Sequence, residues 1–195
     1  MAKRLNDTQM VTGEVRVSYC NLLEAKKFKE TDKEAKFSCV ALISKTTESG
    51  KETYKMLMEC IAKAAEKGAQ KHFGGRVPTN VPHTVQDGDT ATDDLGDLKC
   101  KKNPEYAGNW FVRLSTKYKP VIKDRSLVEI KNPLEIYSGM HAQMSVTAYA
   151  YSGDGKRGIS FVLNNVVKTR DGEPLTSRLV GDEFDAEMLE ASTEE

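Results

Sequence analysis

The chain has 195 residues, of which 38% are hydrophobic, and its 29 basic residues are balanced by 29 acidic ones. That length can bury a sizeable core in one domain, and no apolar run approaches the roughly 18 residues that would span a membrane. These properties exclude a helical membrane protein, and without a visible targeting signal we expect a cytoplasmic location. Cys20, Cys39, Cys60 and Cys100 are spread singly rather than in the close pairs of zinc sites, so we interpret them as free thiols.

Two strands are predicted before the first helix. Residues 11–19 alternate apolar and polar side chains, which predicts a half-buried strand with Tyr19 on its apolar face and Arg16 on its polar face. A second strand is predicted at about residues 36–43. The residues between them are rich in Lys and Glu and indicate a solvated loop.

One amphipathic helix follows the second strand. Ser49 and Glu52 have the spacing of a capping box, and apolar residues then recur at intervals of three and four up to Phe73. Gly74 and Gly75 predict its end. This spacing is typical of a helix that buries one face, and it indicates no cofactor.

A long loop region, residues 76–106, contains several aspartates. Asp87, Gly88 and Asp89 fail the calcium-loop pattern, because that pattern needs a further oxygen ligand at the position of Ala91. The carboxylates from Asp87 to Asp97 nevertheless suggest an alternative function, a metal-dependent nuclease or recombination enzyme with a two-metal site.

Three more strands are predicted in the second half, at residues 109–115, 139–151 and 158–170. In the first of them the alternation places Trp110 inside, with Phe111 and Arg113 outside. The last two are joined by the turn residues 152–155 and form a hairpin. The polar face of the hairpin carries Tyr149 and Tyr151.

The order of the elements predicts a mainly β fold, because strands and helices do not alternate as they do around a parallel sheet. A five-stranded antiparallel barrel of the OB-fold type, capped by one helix after the second strand, fits best. OB-folds bind nucleic acids with a strand face and with the loops between strands one and two and between strands four and five. Here those loops are residues 21–35 and 152–157, and both carry basic side chains.

Charge is distributed unevenly along the chain, because the last fifteen residues are strongly acidic. They hold seven of the 29 acidic residues and no basic one, so residues 1–180 carry 29 basic and 22 acidic side chains. We therefore predict a nucleic-acid-binding domain at residues 1–180 and a disordered acidic tail at residues 181–195. The tail could also serve only to keep the chain soluble. The predicted partner-binding residues of the tail are Asp182, Glu183, Phe184, Asp185, Glu187, Glu190, Glu194 and Glu195.

Cations and flat side chains are interleaved between residues 99 and 125. Single-stranded nucleic acid needs cations along its backbone and aromatic rings on which its bases stack. The predicted DNA-binding residues are Arg16, Lys99, Lys101, Lys102, Phe111, Arg113, Lys117, Tyr118, Lys119, Tyr149, Tyr151, Lys156 and Arg157. Arg157 and Lys156 would lie at the tip of the hairpin.

Several segments together resemble phage-encoded single-stranded DNA-binding proteins. They are residues 87–89, 106–111, 115–124, 136–139, 146–151 and 170–175. The resemblance runs from about Val11 to Leu175 and implies an OB-fold replication protein, related at longer range to the single-stranded DNA-binding proteins of T-odd phages. It implies a protein that coats single strands during phage DNA replication or recombination, in the cytoplasm of the host cell.

The remaining expectations concern activity and partners. No motif of a serine hydrolase, zinc protease or phosphate-binding loop is present, so we expect no enzymatic activity, no metal and no cofactor. Single-stranded DNA is the expected partner, together with replication or recombination proteins that contact the acidic tail. Binding of duplex DNA and formation of a homodimer are left open by the sequence.

Overall fold

The computed structural model describes residues 1–27, 34–153 and 155–175. The predicted acidic tail, with its partner-binding residues and its disorder, lies outside the described residues. Among the described residues, no helix has the length and apolar character needed to cross a membrane.

The described part of the chain forms nine β-strands and four helical segments. The strands are β1 (Lys3–Arg4), β2 (Gln9–Val11), β3 (Val15–Lys26), β4 (Lys36–Ser44), β5 (Val85–Asp87), β6 (Asn109–Thr116), β7 (Val121–Lys123), β8 (His141–Gly153) and β9 (Lys156–Arg170). The helical segments are α1 (Glu48–His72), α2 (Lys99–Lys102) and the 3₁₀ helices η1 (Pro104–Tyr106) and η2 (Pro133–Glu135). The mainly β fold, with one long helix after the second predicted strand, is confirmed.

The five long strands pair in a circuit that returns to its starting strand. β8 pairs with β3, β3 with β4, β4 with β6, β6 with β9, and β9 with β8. Four of them lie within two residues of their predicted bounds. The first is displaced from the predicted residues 11–19, because β3 runs from Val15 to Lys26 into the predicted loop and residues 9–11 form the separate strand β2. The short strands extend the sheet, because β2 and β1 continue it beyond β8, β7 pairs with β9, and β5 pairs with β6.

The prediction of a purely antiparallel sheet of five strands is wrong. Four short strands add to the sheet, and β9 runs parallel to β6, with Phe161 beside Leu114. Parallel neighbours need a long crossover between them, and here residues 117–155 supply it.

Helix α1 packs its apolar face against the main core, which lies inside the circuit of strands. Leu57, Ile61 and Ala65 are buried there, as the spacing predicted. The predicted cap is wrong by two residues, because the side-chain oxygen of Thr47, rather than that of Ser49, accepts the backbone N–H of Gly50 at 3.1 Å. The turn at the start of the helix is tight, since a Cβ on Gly50 would lie 1.9 Å from the carbonyl oxygen of Ser44.

The alternation of strand β3 changes phase at a bulge. The pairing with β4 shifts between Ser18 and Asn21, and Tyr19 adopts a left-handed backbone conformation with φ 48°. An extra residue of this kind turns the following side chains to the opposite face. Tyr19 is therefore 52% exposed, whereas Leu22 is fully buried. The prediction that Tyr19 lies on the apolar face is wrong for this reason.

A second, smaller apolar cluster lies on the outer face of β4 and β6. It contains Val40, Leu42, Tyr106 and Phe111. Residues 88–108, which we call the covering segment, supply Tyr106 and fold over the outward side chains of Val40, Leu42 and Phe111. Strand β6 is consequently covered on both faces, with Val112 and Leu114 in the main core.

Candidate nucleic-acid interface

A groove runs between the covering segment and the outer face of β3, β4 and β6. At its centre lies a pocket of about 270 Å³, which the outward side chains of Ser38 and Val40 line from β4. Around them the lining is formed by Tyr19, Cys39, Asp93, Lys99, Lys102, Asn103, Tyr106 and Arg113. The pocket therefore combines an apolar surface with flat and cationic side chains.

Hydrogen bonds to β3 hold the covering segment in place beside this groove. The hydroxyl of Ser18 donates to a carboxylate oxygen of Glu105 at 3.0 Å. Next to it, the hydroxyl of Tyr19 donates to the side-chain oxygen of Asn103. One wall of the groove is thus fixed to the strand that forms the other wall.

Two cations in the groove have no carboxylate partner among the described residues. Lys99 donates to the neutral side-chain oxygen of Gln86 at 2.8 Å, and Arg113 is exposed on β6 without an ion pair. Desolvation lowers the pKa of the Lys99 ammonium and the nearby charge of Arg113 lowers it further, whereas the carboxylates of Asp94 and Asp93 raise it by a smaller amount. A pair of cations that repel each other in a groove favours the binding of an anion between them.

The other predicted cations of α2 have different surroundings. Lys102 lines the pocket but forms ion pairs with Asp93 and Asp97, so its charge is compensated. Lys101 is exposed and does not line the pocket. Of the three lysines in this short helix, only Lys99 lines the pocket without an ion pair to a described residue.

The turn after β6 carries three more predicted contacts. Lys117, Tyr118 and Lys119 are all exposed, and Tyr118 is 83% exposed. The Lys117 ammonium lies 2.5 Å from a carboxylate oxygen of Glu34. These residues lie outside the pocket lining, and their role in binding stays a prediction.

The hairpin of β8 and β9 forms a separate surface with aromatic rings and cations. Tyr149 is 41% exposed and its ring centroid lies 6.5 Å from that of the half-buried Tyr151. Lys156 and Arg157 are exposed at the start of β9. The structure brings these four residues together on the hairpin, but none of them lines the pocket in the groove.

Arg16 holds the last part of the described chain. Its guanidinium donates to the backbone carbonyl of Glu173 at 2.7 Å, and the N–H of Leu175 donates to the carbonyl of Ser138 at 2.9 Å. Leu175 packs against the smaller apolar cluster. The chain therefore leaves the described structure beside the groove.

The prediction that Phe111 offers an exposed ring to DNA is wrong. Its side chain is fully buried, and its ring stacks on that of Tyr106 with the centroids 4.4 Å apart. The polar residues beside it in the sequence do point outward, but the covering segment folds over this part of the face. Trp110 points to the other face as predicted, where it stacks on Tyr54 of α1 at 4.1 Å.

The carboxylates of the nuclease alternative bind groups of the protein itself. Asp87 and Asp89 both accept from Lys45, at 2.5 Å and 2.6 Å. Asp89 also accepts the N–H of Gly108 at 2.8 Å, and Asp93 accepts the N–H groups of Leu95 and Asp97. No group of three or more metal-ligating side chains occurs within residues 1–27, 34–153 and 155–175. These contacts fix the covering segment and do not favour the nuclease alternative.

The sequence argument missed Tyr19 as a residue of the groove. Its apolar neighbours at positions 15 and 17 placed it with the core, and only a bulge, which alternation does not reveal, brings it out. It also missed Gln86, whose position on β5 beside Phe111 depends on the pairing of β5 with β6.

Comparison with known proteins identifies the family. The sequence model of the Enterobacter phage Enc34 ssDNA-binding protein family matches residues 8–194, nearly the whole chain. The chain belongs to this family. The resemblance to phage single-stranded DNA-binding proteins is thereby confirmed.

Other comparisons place the fold among the same proteins. The single-stranded DNA-binding protein of bacteriophage Enc34, solved in complex with ssDNA, superposes with a TM-score of 0.67 at 20% identity, covering 89% of this chain and 96% of that one. The single-stranded DNA-binding protein gp2.5 of bacteriophage T7 superposes with a TM-score of 0.59 at 8% identity, covering 91% and 97%. At these identities the structures establish the fold.

A curated relative shares part of the sequence. Protein p50 of Acyrthosiphon pisum secondary endosymbiont phage 1 is 35% identical over 98 residues, which is 47% of this chain. The matched part spans half of the length of p50.

Proposed function

We propose that this chain binds single-stranded DNA in the groove between the covering segment and strands β3, β4 and β6. The observation that carries this proposal is a pair of cations, Lys99 and Arg113, that form no ion pair among the described residues and lie beside the exposed ring of Tyr19. Cations along a groove attract the phosphate backbone, and aromatic rings accept the bases without reading their edges. Membership of the Enc34 family supports the same function.

We further propose that the circuit of five strands is an OB-fold barrel. In OB-folds the second and third strands form the binding face, and here the second and third strands of the circuit in chain order are β4 and β6. Both strands line the groove. The closure of the circuit by the pairing of β9 with β8 supports this assignment.

The biological role follows from the same proposal. The protein would coat and protect single strands during phage DNA replication or recombination in the host cytoplasm, without catalysing a reaction. Its acidic tail would recruit replication or recombination proteins. Binding would depend on charge and stacking rather than on base sequence.

A titration of the full-length chain with labelled single-stranded DNA, duplex DNA and RNA at several salt concentrations tests this function. For single-stranded DNA the logarithm of the binding constant should fall with the logarithm of the salt concentration by about 0.7 for each phosphate neutralised. Arg113→Ala should reduce this slope by about 0.7, the value for one phosphate contact. The matched variant Arg125→Ala, at a residue outside the pocket lining, should leave the slope nearly unchanged. A flat salt dependence, or equal effects of both variants, would contradict the proposed groove.

A further inference from the structure

The central pocket of the groove is too small for a run of stacked bases. Its volume of about 270 Å³ lies below the range of about 300 to 1,000 Å³ that is typical of drug-sized ligands. Ser38 and Val40, which line it from β4, are only 2% and 5% exposed. The part of a ligand that fills this pocket must therefore be compact, and it must enter from the groove.

The pocket offers two flat side chains. The ring of Tyr19 is exposed, and its hydroxyl is fixed by the hydrogen bond to Asn103, which restrains the side chain. The guanidinium plane of Arg113 belongs to the same lining. Aromatic rings and arginine planes are the groups on which unstacked nucleobases pack in single-strand complexes.

The charge of the pocket fits a base that remains attached to its backbone. Lys99 and Arg113 form no ion pair with a described residue, while part of the surface beside them is apolar. An inorganic anion would leave the apolar part empty, and a purely apolar ligand would leave both cations unpaired. A nucleotide unit supplies a flat base for the pocket and a phosphate for the cations.

We propose that this pocket captures one nucleobase of the bound strand, turned out of the stack and packed on Tyr19, while its phosphate lies against Lys99 and Arg113. The proposal rests on the proposed binding of single-stranded DNA and specifies how the groove holds one nucleotide. The captured base fixes the position of the strand along the groove. The nucleotides on either side of it bind there only through the charge of their phosphates.

The experiment compares oligothymidylate with a chain of the same length that carries abasic sugars throughout. Tyr19→Asn removes the ring but suits the left-handed backbone at this position, because Asn tolerates positive φ. This variant should weaken binding of oligothymidylate by roughly five-fold to more than a hundred-fold, the range of one base stack, and leave binding of the abasic chain unchanged. Tyr19→Phe, which keeps the ring, should restore binding of oligothymidylate.

A pocket-filling variant gives an independent measurement. Ser38→Leu places a larger side chain in the pocket and should weaken the binding of oligothymidylate more than the binding of the abasic chain. The control variant Ser145→Leu, on the outer face of β8, should leave the binding of both chains unchanged. Circular dichroism and thermal unfolding check that each variant is folded.

The outcomes separate the two proposals. If the wild-type protein binds neither chain, the proposed function itself fails. If the wild-type protein binds both chains and Tyr19→Asn weakens the binding of both equally, the proposed binding of single-stranded DNA is retained and the proposed base pocket is contradicted. Photocrosslinking of an oligonucleotide with 5-iododeoxyuridine to the unmodified protein should identify Tyr19 as a crosslinked residue. Crosslinks confined to Tyr149 and Tyr151 would equally overturn the pocket.

Discussion

Strands β6 and β8 look alike in the sequence but differ in what covers them. Each carries an aromatic residue among polar neighbours, Phe111 on β6 and Tyr149 on β8. Phe111 is fully buried beneath the covering segment, whereas Tyr149 is 41% exposed. Alternation tells which side of a strand a residue occupies, but exposure also depends on whether a distant segment folds over that side. The long loop before β6 was the available sign that such a segment exists.

The most severe test of this comparison removes the buried ring. Phe111→Ala should destabilise the fold by about 3 to 5 kcal/mol, because it leaves a cavity in the smaller apolar cluster and removes the stacking on Tyr106. Chemical denaturation measures the loss, with Phe111→Leu as a milder control that keeps most of the volume. A variant that keeps its unfolding midpoint and loses only DNA affinity would show that the ring is exposed after all.

Much of the framework could be predicted from residue spacing alone. The alternation of β8 and the three-and-four spacing of α1 are local patterns, and both elements lie within a few residues of their predicted positions. The parallel pairing of β9 with β6 was not predicted, because it depends on how residues 117–155 cross over rather than on any local pattern.

The candidate site was only partly predictable for the same physical reason. Lys99, Lys102 and Arg113 were found from the density of cations, and the structure brings them to one pocket. Tyr19 was missed because a single left-handed residue reverses the phase of β3. Phe111 was misjudged because the residues that cover it come from a separate segment.

A second test loosens the cover without touching Phe111. A Cβ on the buried Gly88 would lie 2.0 Å from the carbonyl oxygen of Tyr106 and 2.6 Å from that of Asn109, so the backbone must move apart. Gly88→Ala should therefore destabilise the protein by about 1 to 3 kcal/mol. Gly153→Ala is the control, because a Cβ on Gly153 meets no atom within 4 Å and its φ is not positive. Gly96 lies in the covering segment and also has open space, but its φ of 87° would strain an alanine there. Equal stability of Gly88→Ala and the wild type would mean that the cover is not closely packed.

The third test concerns the uncovered strand. Tyr149→Ala should leave stability almost unchanged, since the ring is exposed, and should weaken single-stranded DNA binding by roughly 1 to 3 kcal/mol if bases stack on it. Tyr149→Phe keeps the ring and should bind like the wild type. Fluorescence anisotropy gives the affinities and thermal unfolding gives the stability. Loss of folding in Tyr149→Ala would place this ring in the core, as for Phe111. Unchanged affinity would confine binding to the groove.

The smallest expected effect on DNA affinity comes from removing the acidic tail, and it depends on the face of the sheet beneath the covering segment. Leu175 packs against the smaller apolar cluster and Arg16 holds the carbonyl of Glu173, so the chain continues from a point beside the groove rather than from the hairpin. Residues 181–195 contain seven carboxylates and no basic residue. We predict that the link to the described chain keeps these carboxylates at an effective concentration on the order of millimolar around the groove, which is enough for weak pairing with cations that would otherwise bind phosphates.

Truncation after Val180 should therefore strengthen single-stranded DNA binding by roughly two-fold to ten-fold at low salt, where charge interactions are least screened. The gain should shrink near physiological ionic strength, because the screening length falls there to about 8 Å. Stability should stay nearly the same. Anisotropy titrations of the full-length and truncated chains at two salt concentrations measure both affinities. Arg113→Ala combined with the truncation is informative, since the gain should diminish when a cation for which tail and DNA compete is absent. A truncated chain that binds no better at low salt would leave the tail with a solubilising role.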